Sequence, residues 1–328
     1  MSDQEPLLEV KDLRVWFDVK PQGAMPWTRA DKLRAVDGVS FSLNAGETLG
    51  IVGESGCGKS TLARAIMRMV AAEGGSALWL GEDLLGLSKR EMRSHRKEMQ
   101  MIFQDPLASL DPRMTIGQIV AEPLKTHFPE LSAGEVKDKV RQALDRVGIL
   151  PNMVNRYPHE FSGGQCQRIG IARALIVSPR LIICDEPVSA LDVSIQAQVI
   201  NLLMEIQAEM GLSLIFIAHD LSVVKHISDR VMVLYLGNVM EISESAQLYR
   251  APGHPYTEAL ISAVPIPDPK LQKAKKIMLL DQDLPSPLDP PSGCVFRTRC
   301  PIAEPVCAQQ KPPLKDRGNG QFVACHLR

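Results

Sequence analysis

The segment Gly53-Glu54-Ser55-Gly56-Cys57-Gly58-Lys59-Ser60 constrains this chain more than any other part of it. Its three glycines permit backbone angles closed to other residues, so successive N–H groups can turn inward around an anion. The apolar run Thr48 to Val52 leads into the loop, and a helical pattern from Ser60 to Met69 leaves it. Strand, glycine loop and helix in that order form the context of a phosphate-binding loop, with the positive end of the helix aimed at the phosphates. Lys59 is placed to neutralise the β- and γ-phosphates of a nucleotide. Ser60, followed by Thr61, supplies a hydroxyl suited to Mg²⁺.

A second set of signals lies far downstream. Leu181-Ile182-Ile183-Cys184-Asp185-Glu186 reads as an apolar strand ending in two acids, which emerge at the sheet edge where α/β folds bind ligands. Asp185 suits Mg²⁺ coordination, and Glu186 suits the general base that deprotonates an attacking water. Ser162-Gly163-Gly164-Gln165 opens a helical stretch with an N-cap serine and two glycines, a second place where backbone can approach an anion. One phosphate chain does not need two cradles from one polypeptide. The second is best used against nucleotide held by another subunit.

The 328 residues allow one large domain with an appendage. Strand and helix patterns alternate from Leu181 to Tyr235, which argues for a mostly parallel sheet covered by helices, with Pro123 to Val177 as an inserted helical block. From Ala251 the composition shifts: 11 of the 24 prolines lie between Pro265 and Pro313, which reads as a largely irregular extension wrapped on the core. A basic run, Lys270 to Lys276, reads as a solvated face. The formal charge of −1, from 37 basic and 38 acidic residues, offers no global field for nucleic acid or an anionic membrane. The polar start, Met1 to Lys11, predicts no signal peptide, and no apolar run reaches the ~18 residues of a spanning helix, so a membrane role is expected to run through partners.

The P-loop, Gln104, the Ser162 motif, Asp185-Glu186, Ser189-Ala190-Leu191-Asp192 and His219 follow one another in the order found in ATP-binding cassette (ABC) ATPases. The resemblance spans about Leu7 to Ser245. Ile102-Phe103-Gln104-Asp105-Pro106 and His159-Glu160-Phe161-Ser162-Gly163-Gly164-Gln165 are similar to the ATPase subunits of oligopeptide and dipeptide importers, most of all the F-type subunits. The resemblance implies a P-loop NTPase core of RecA-like α/β type, with an antiparallel β subdomain and an inserted helical subdomain at about 105–178. Together these form an ABC ATPase domain over 1–245, and 246–328 form a peptide-importer-type extension. It implies ATP and Mg²⁺ as ligands, with Phe17 stacking on adenine, although Trp16 stands beside it. Gln104 would sense Mg²⁺ and the attacking water, His219 would contact the γ-phosphate, and Asp192 would link the two active sites. The implied partners are a second ABC ATPase subunit in a heterodimer, two membrane permease subunits and an extracytoplasmic peptide-binding protein, with no nucleic acid. The implied place is the cytoplasmic face of the inner membrane, held peripherally through the permeases. Phe161 departs from the leucine common at that position, an apolar exchange. A soluble ABC ATPase acting on ribosomes or DNA, an importer of dipeptides or nickel, and a metal- or redox-sensing module remain alternatives.

The extension carries Cys294-x5-Cys300-x6-Cys307-x17-Cys325, four soft donors in a proline-rich segment that would otherwise bury little core. The spacing is not the C-x2-C of common zinc sites, and Cys300-Pro301 echoes the end of ferredoxin-type runs. Similar tails in peptide-importer subunits are associated with a [4Fe–4S] cluster. That reading is preferred here to zinc, with four unliganded thiols as the remaining possibility. Cys57 reads as a small spacer in the loop, and Cys166 and Cys184 as core.

Overall fold

The computed structural model describes residues 5–20, 23, 25, 27, 30–265, 278 and 284–328. The basic run Lys270 to Lys276, and parts of the loop predicted over Val19 to Asp31, lie outside the described residues. Along the chain come β1 (Leu8–Val19), β2 (Asp31–Leu43), β3 (Thr48–Val52), α1 (Lys59–Ile66), β4 (Gly74–Trp79) and β5 (Glu82–Asp83). Then follow α2 (Lys89–His95), β6 (Met99–Ile102), α3 (Ile116–His127), α4 (Ala133–Arg146), α5 (Gly163–Leu175), β7 (Leu181–Asp185), α6 (Val193–Met210) and β8 (Ser213–Ile217). The remainder holds α7 (Leu221–Ile227), β9 (Arg230–Tyr235), β10 (Asn238–Glu244), α8 (Ser245–Arg250), α9 (Pro255–Ala263), α10 (Pro305–Gln309), β11 (Lys315–Asp316) and β12 (Phe322–Val323).

These elements form two compact units. The first comprises Met1–Leu43, Leu49–Leu85 and Ala218–Arg328. It contains an antiparallel sheet of order β2-β1-β4-β5. It also contains β3 parallel to β9, with Leu49 opposite Arg230 and Val52 opposite Val233. β10 continues antiparallel from β9, and β12 and β11 extend that edge. All five residues of β3 are buried, as a strand covered on both faces requires.

The second unit comprises Asn44–Thr48 and Gly86–Ile217. Its strands run in the order β8-β7-β6, parallel, with Met99 opposite Leu181 and Asp185 opposite Ile217. Four of its helices start with reciprocal caps: Ser88 with Glu91, Thr115 with Gln118, Ser132 with Glu135 and Ser162 with Gln165. In each, the cap side chain and the third helical residue satisfy one another's backbone N–H, so the sequence itself fixes where the helix begins.

Two sequence expectations change. The helical block does not start at Pro123: α3 begins at Ile116 under the Thr115 cap and carries Pro123 inside it. The extension after Ala251 is less irregular than its prolines suggested. It forms α9 and α10, and β12 pairs with β10 through Glu241–Val323 and Ile242–Phe322. Among the described residues, no helix is long and apolar enough to cross a membrane.

Candidate functional site

In the first unit, β3 delivers the chain to the glycine loop. A Cβ on Gly53 (φ 154°) would lie 2.2 Å from the Leu234 carbonyl oxygen, and one on Gly58 (φ 103°) would lie 2.1 Å from that of Ala35. Both positions therefore exclude side chains, on steric as well as backbone grounds. Gly58 is the N-cap of α1 and has no side chain to cap it, so the helix opens with its dipole and no side-chain acceptor there. Lys59 is 4% exposed, and its ammonium donates to the carbonyls of Gly53 (2.8 Å) and Glu54 (3.1 Å).

His219 reaches the same neighbourhood. The Ala218 N–H donates to the Ile51 carbonyl at 3.2 Å, setting His219 beside the end of β3, and Asp220 then caps α7 through the Ser222 N–H. On β1 the two adjacent aromatics have different surroundings. The Arg34 guanidinium sits 5.2 Å from the centre of the Trp16 ring, whereas Phe17 is an exposed apolar side chain. Phe17 is therefore the more exposed of the two aromatics.

Cys57 lies 3.9 Å from the Lys59 ammonium and is 1% exposed. Burial pushes its thiol up, against the opposing pull of Lys59. A raised value means less thiolate at neutral pH than a free cysteine carries, and the thiolate is the nucleophile. Iodoacetamide is therefore expected to label Cys57 slowly at pH 7 and faster as pH rises above the ordinary thiol range, with bound MgATP protecting it. Mass spectrometry of the Cys57 peptide against an unfolded control checks this; equal rates at pH 7 would refute it.

In the second unit, the acid-ended strand is built as its sequence implied. Asp185 is fully buried at the carboxyl end of β7. Glu186 leaves the strand with φ 48°, a left-handed conformation that costs a non-glycine residue about 1–2 kcal/mol. Two anchors hold it: its N–H donates to the Ile217 carbonyl at 3.1 Å, and its own carbonyl accepts from the Ser189 hydroxyl at 3.1 Å. The Gln104 amide donates to the Glu186 carboxylate at 2.8 Å. Strain at a carboxylate of this kind is typical of functional positions.

The Ser162 motif begins α5. Its hydroxyl accepts from the Gln165 N–H at 3.3 Å, and the Gln165 side chain accepts from the Ser162 N–H at 3.0 Å. The two glycines differ. A Cβ on Gly164 would press to 2.5 Å from Ile195 Cγ2 of α6, whereas one on Gly163 would meet only Leu191 Cδ2 at 3.6 Å, an ordinary contact. Gly164 serves packing inside the chain; Gly163 has no such internal reason. Asp192 is the N-cap of α6 yet makes no capping bond with its side chain, and Val193 beside it is 82% exposed.

The four late cysteines are free thiols, three of them buried. Burial raises Cys294 to about 11, opposed by the Phe296 N–H and assisted by Cys307, Cys300 and Cys325. Burial also raises Cys300, opposed by the Ile302 N–H and assisted by Cys325 and Cys307. The four side chains thus share one electrostatic neighbourhood, and two receive backbone N–H groups. In kind they fit a soft metal centre. Among the described residues, however, no three Cys, His, Asp or Glu side chains gather as a metal site.

A Walker-type loop on β3 and α1, an acid-ended strand with its glutamine partner, and a serine–glycine–glycine helix start together define an ABC-type P-loop ATPase. Comparison with known proteins narrows the class. Residues 36–189 match the ABC transporter family model, and residues 240–307 match that of the oligopeptide/dipeptide transporter C-terminal region. The oligopeptide transport ATP-binding protein OppF of Haemophilus influenzae is 64% identical, over 99% of this chain and 98% of its own length. The protein of the same name from Escherichia coli is also 64% identical, over 94% of this chain and 92% of its own. Among solved structures, the dimeric ATP-binding cassette MJ0796 in a post-hydrolysis state with ADP and Pi has a TM-score of 0.64 at 25% identity, covering 73% of this chain and 98% of that one. The chain belongs to the ATP-binding subunits of the oligopeptide ABC transporter family, and it is an ATPase.

What the sequence missed is the surroundings of Glu54. Its N–H donates to the Tyr256 hydroxyl at 3.0 Å, and its carboxylate takes both oxygens' bonds from Arg299. No motif marks Tyr256 or Arg299, because each meets the loop only after the chain has folded back across some 200 residues or more.

Proposed function

We propose that the chain energises oligopeptide uptake as one half of an ATP-sandwich dimer, paired with a second, different ATPase subunit. They would sit against two permeases at the cytoplasmic face of the membrane, in a system served by an extracytoplasmic peptide-binding protein. The observation that carries this reading is the contrast at the Ser162 motif. Gly163 has room for a side chain within its own chain and still has none, which makes sense if a phosphate on another subunit fills that space. The dimeric cassette among the structural relatives supports it.

In this reading Lys59 and the N–H groups of Gly53 to Thr61 bind the phosphates, and Phe17 stacks on the base. Ser60, Gln104 and Asp185 would hold Mg²⁺. Glu186 takes the proton of the attacking water, oriented by its hydrogen bond from Gln104, and His219 steadies the γ-phosphate. Ser162 to Gln165 and Asp192 act on the nucleotide of the partner. Closure is driven because only the paired state satisfies the γ-phosphate from both sides. The division into an ATPase domain over 1–245 and an extension over 246–328 belongs to the same proposal. Cys294, Cys300, Cys307 and Cys325 would hold a [4Fe–4S] cluster only by drawing closer together, since among the described residues they do not gather as a metal site; bound, it would tie the extension together.

Purification of the complex from membranes tests both parts. The expected preparation contains this chain, one different ATPase chain and two permeases, and it carries iron, with broad absorbance near ~400 nm. A homodimer of this chain would overturn the pairing, and zinc without iron would overturn the cluster.

A further inference from the structure

Glu54 is an acid placed inside a loop that must attract phosphate. A carboxylate there repels the ligand unless something neutralises it. The structure supplies the counter-charge from 245 residues away: Arg299 Nη1 donates to Glu54 Oε1 and Oε2, both at 2.9 Å. The Arg299 side chain is 9% exposed and that of Glu54 26%, so the pair is partly shielded from water. The guanidinium is held in turn by Tyr235, whose hydroxyl accepts from Nη1 at 3.4 Å and whose ring centre lies 5.8 Å from it. Tyr256 accepts from the Glu54 N–H at 3.0 Å.

All three props rest on one aromatic cluster. Phe296 is fully buried, with its ring centre 5.3 Å from those of Tyr235 and Tyr256 and 5.6 Å from that of His254. The Arg299 N–H donates to the Phe296 carbonyl at 3.0 Å, which fixes the turn that presents the guanidinium. The extension thus reaches the glycine loop at both the carboxylate and the N–H of a single residue.

We infer that Arg299 is a positioning residue for the nucleotide site: it cancels the charge of Glu54 and fixes the loop, making the extension part of the ATP-binding apparatus. The inference rests on the glycine loop holding ATP. It predicts that nucleotide affinity depends on a residue of the extension, through the charge of Glu54 and not through general stability.

The test is MgATP binding to the full-length chain by equilibrium titration, with KM measured in the assembled complex. Arg299→Gln leaves an uncompensated carboxylate beside the phosphates and is expected to weaken MgATP roughly ten-fold, about 1.4 kcal/mol, read in KM rather than kcat. Removing that carboxylate as well, in the Glu54→Gln/Arg299→Gln chain, is expected to recover most of the loss, which a merely structural role for Arg299 would not produce. Arg299→Lys keeps the charge on a shorter side chain without the planar guanidinium that lies by the Tyr235 ring, and should fall between wild type and Arg299→Gln. Wild-type affinity in Arg299→Gln, or a double variant no better than it, would overturn the inference. Should Arg299→Gln not fold, a folded lysine chain that loses about ten-fold or more in MgATP affinity although it keeps the charge would do the same. Failure of the wild-type chain to bind MgATP at all would instead strike the reading of the loop.

Discussion

Glu186→Gln is expected to lower ATP turnover by about 10²- to 10⁴-fold while MgATP binding survives. The carboxylate at the end of β7 is positioned by both a strained backbone and a side-chain partner: φ is 48°, and the Gln104 amide donates to it at 2.8 Å. Glutamine is isosteric and retains the anchors made by the main chain to Ile217 and Ser189. It cannot accept a proton from water. The loss should therefore appear in kcat, and ATP-bound pairs, no longer reset by hydrolysis, should accumulate. Steady-state turnover and sedimentation with ATP check the two halves. Turnover within a few-fold of wild type would remove Glu186 from the role of general base, since groups in that role contribute far more.

Gly163→Asp separates the two cradles. The residue has a helical conformation, and an added Cβ meets only Leu191 at 3.6 Å, so the chain should fold and bind MgATP through its own loop. The new carboxylate would, however, face the phosphates of the partner's nucleotide and repel them. ATP-driven pairing and stimulated turnover in the complex should both be lost. Gly164→Ala is the contrasting control, because a methyl group 2.5 Å from Ile195 Cγ2 overpacks the α5–α6 contact, at about 1–3 kcal/mol. Its expected signature is a lower melting temperature. Normal ATP-driven pairing by Gly163→Asp would argue against a shared site.

The features readable from sequence were local ones. The glycine loop, the start of α5 at its Ser162–Gln165 capping box and the acid-ended β7 each depend on residues a few positions apart, whose backbone preferences already fix the geometry. Even there the sequence misplaced an element where a local rule was outweighed. Pro123 reads as the start of the helical block, yet α3 carries it at its eighth position, beyond the capped first turns set by Thr115. The extension reads as irregular from its prolines, yet its end pairs β12 with β10, because a two-residue pairing needs little intrinsic propensity once a neighbour is in place.

The amino-acid order by itself determined that this chain cradles phosphate and carries an acid pair, since those signals are written within single turns and strands. Only the tertiary structure decided which aromatic of β1 is the more exposed, which glycine of the Ser162 motif is spared by its own chain, and that Arg299 answers the charge of Glu54. Each of those depends on side chains from distant segments meeting at a few ångströms. Strand pairing and helix packing set such distances, and no local preference encodes them.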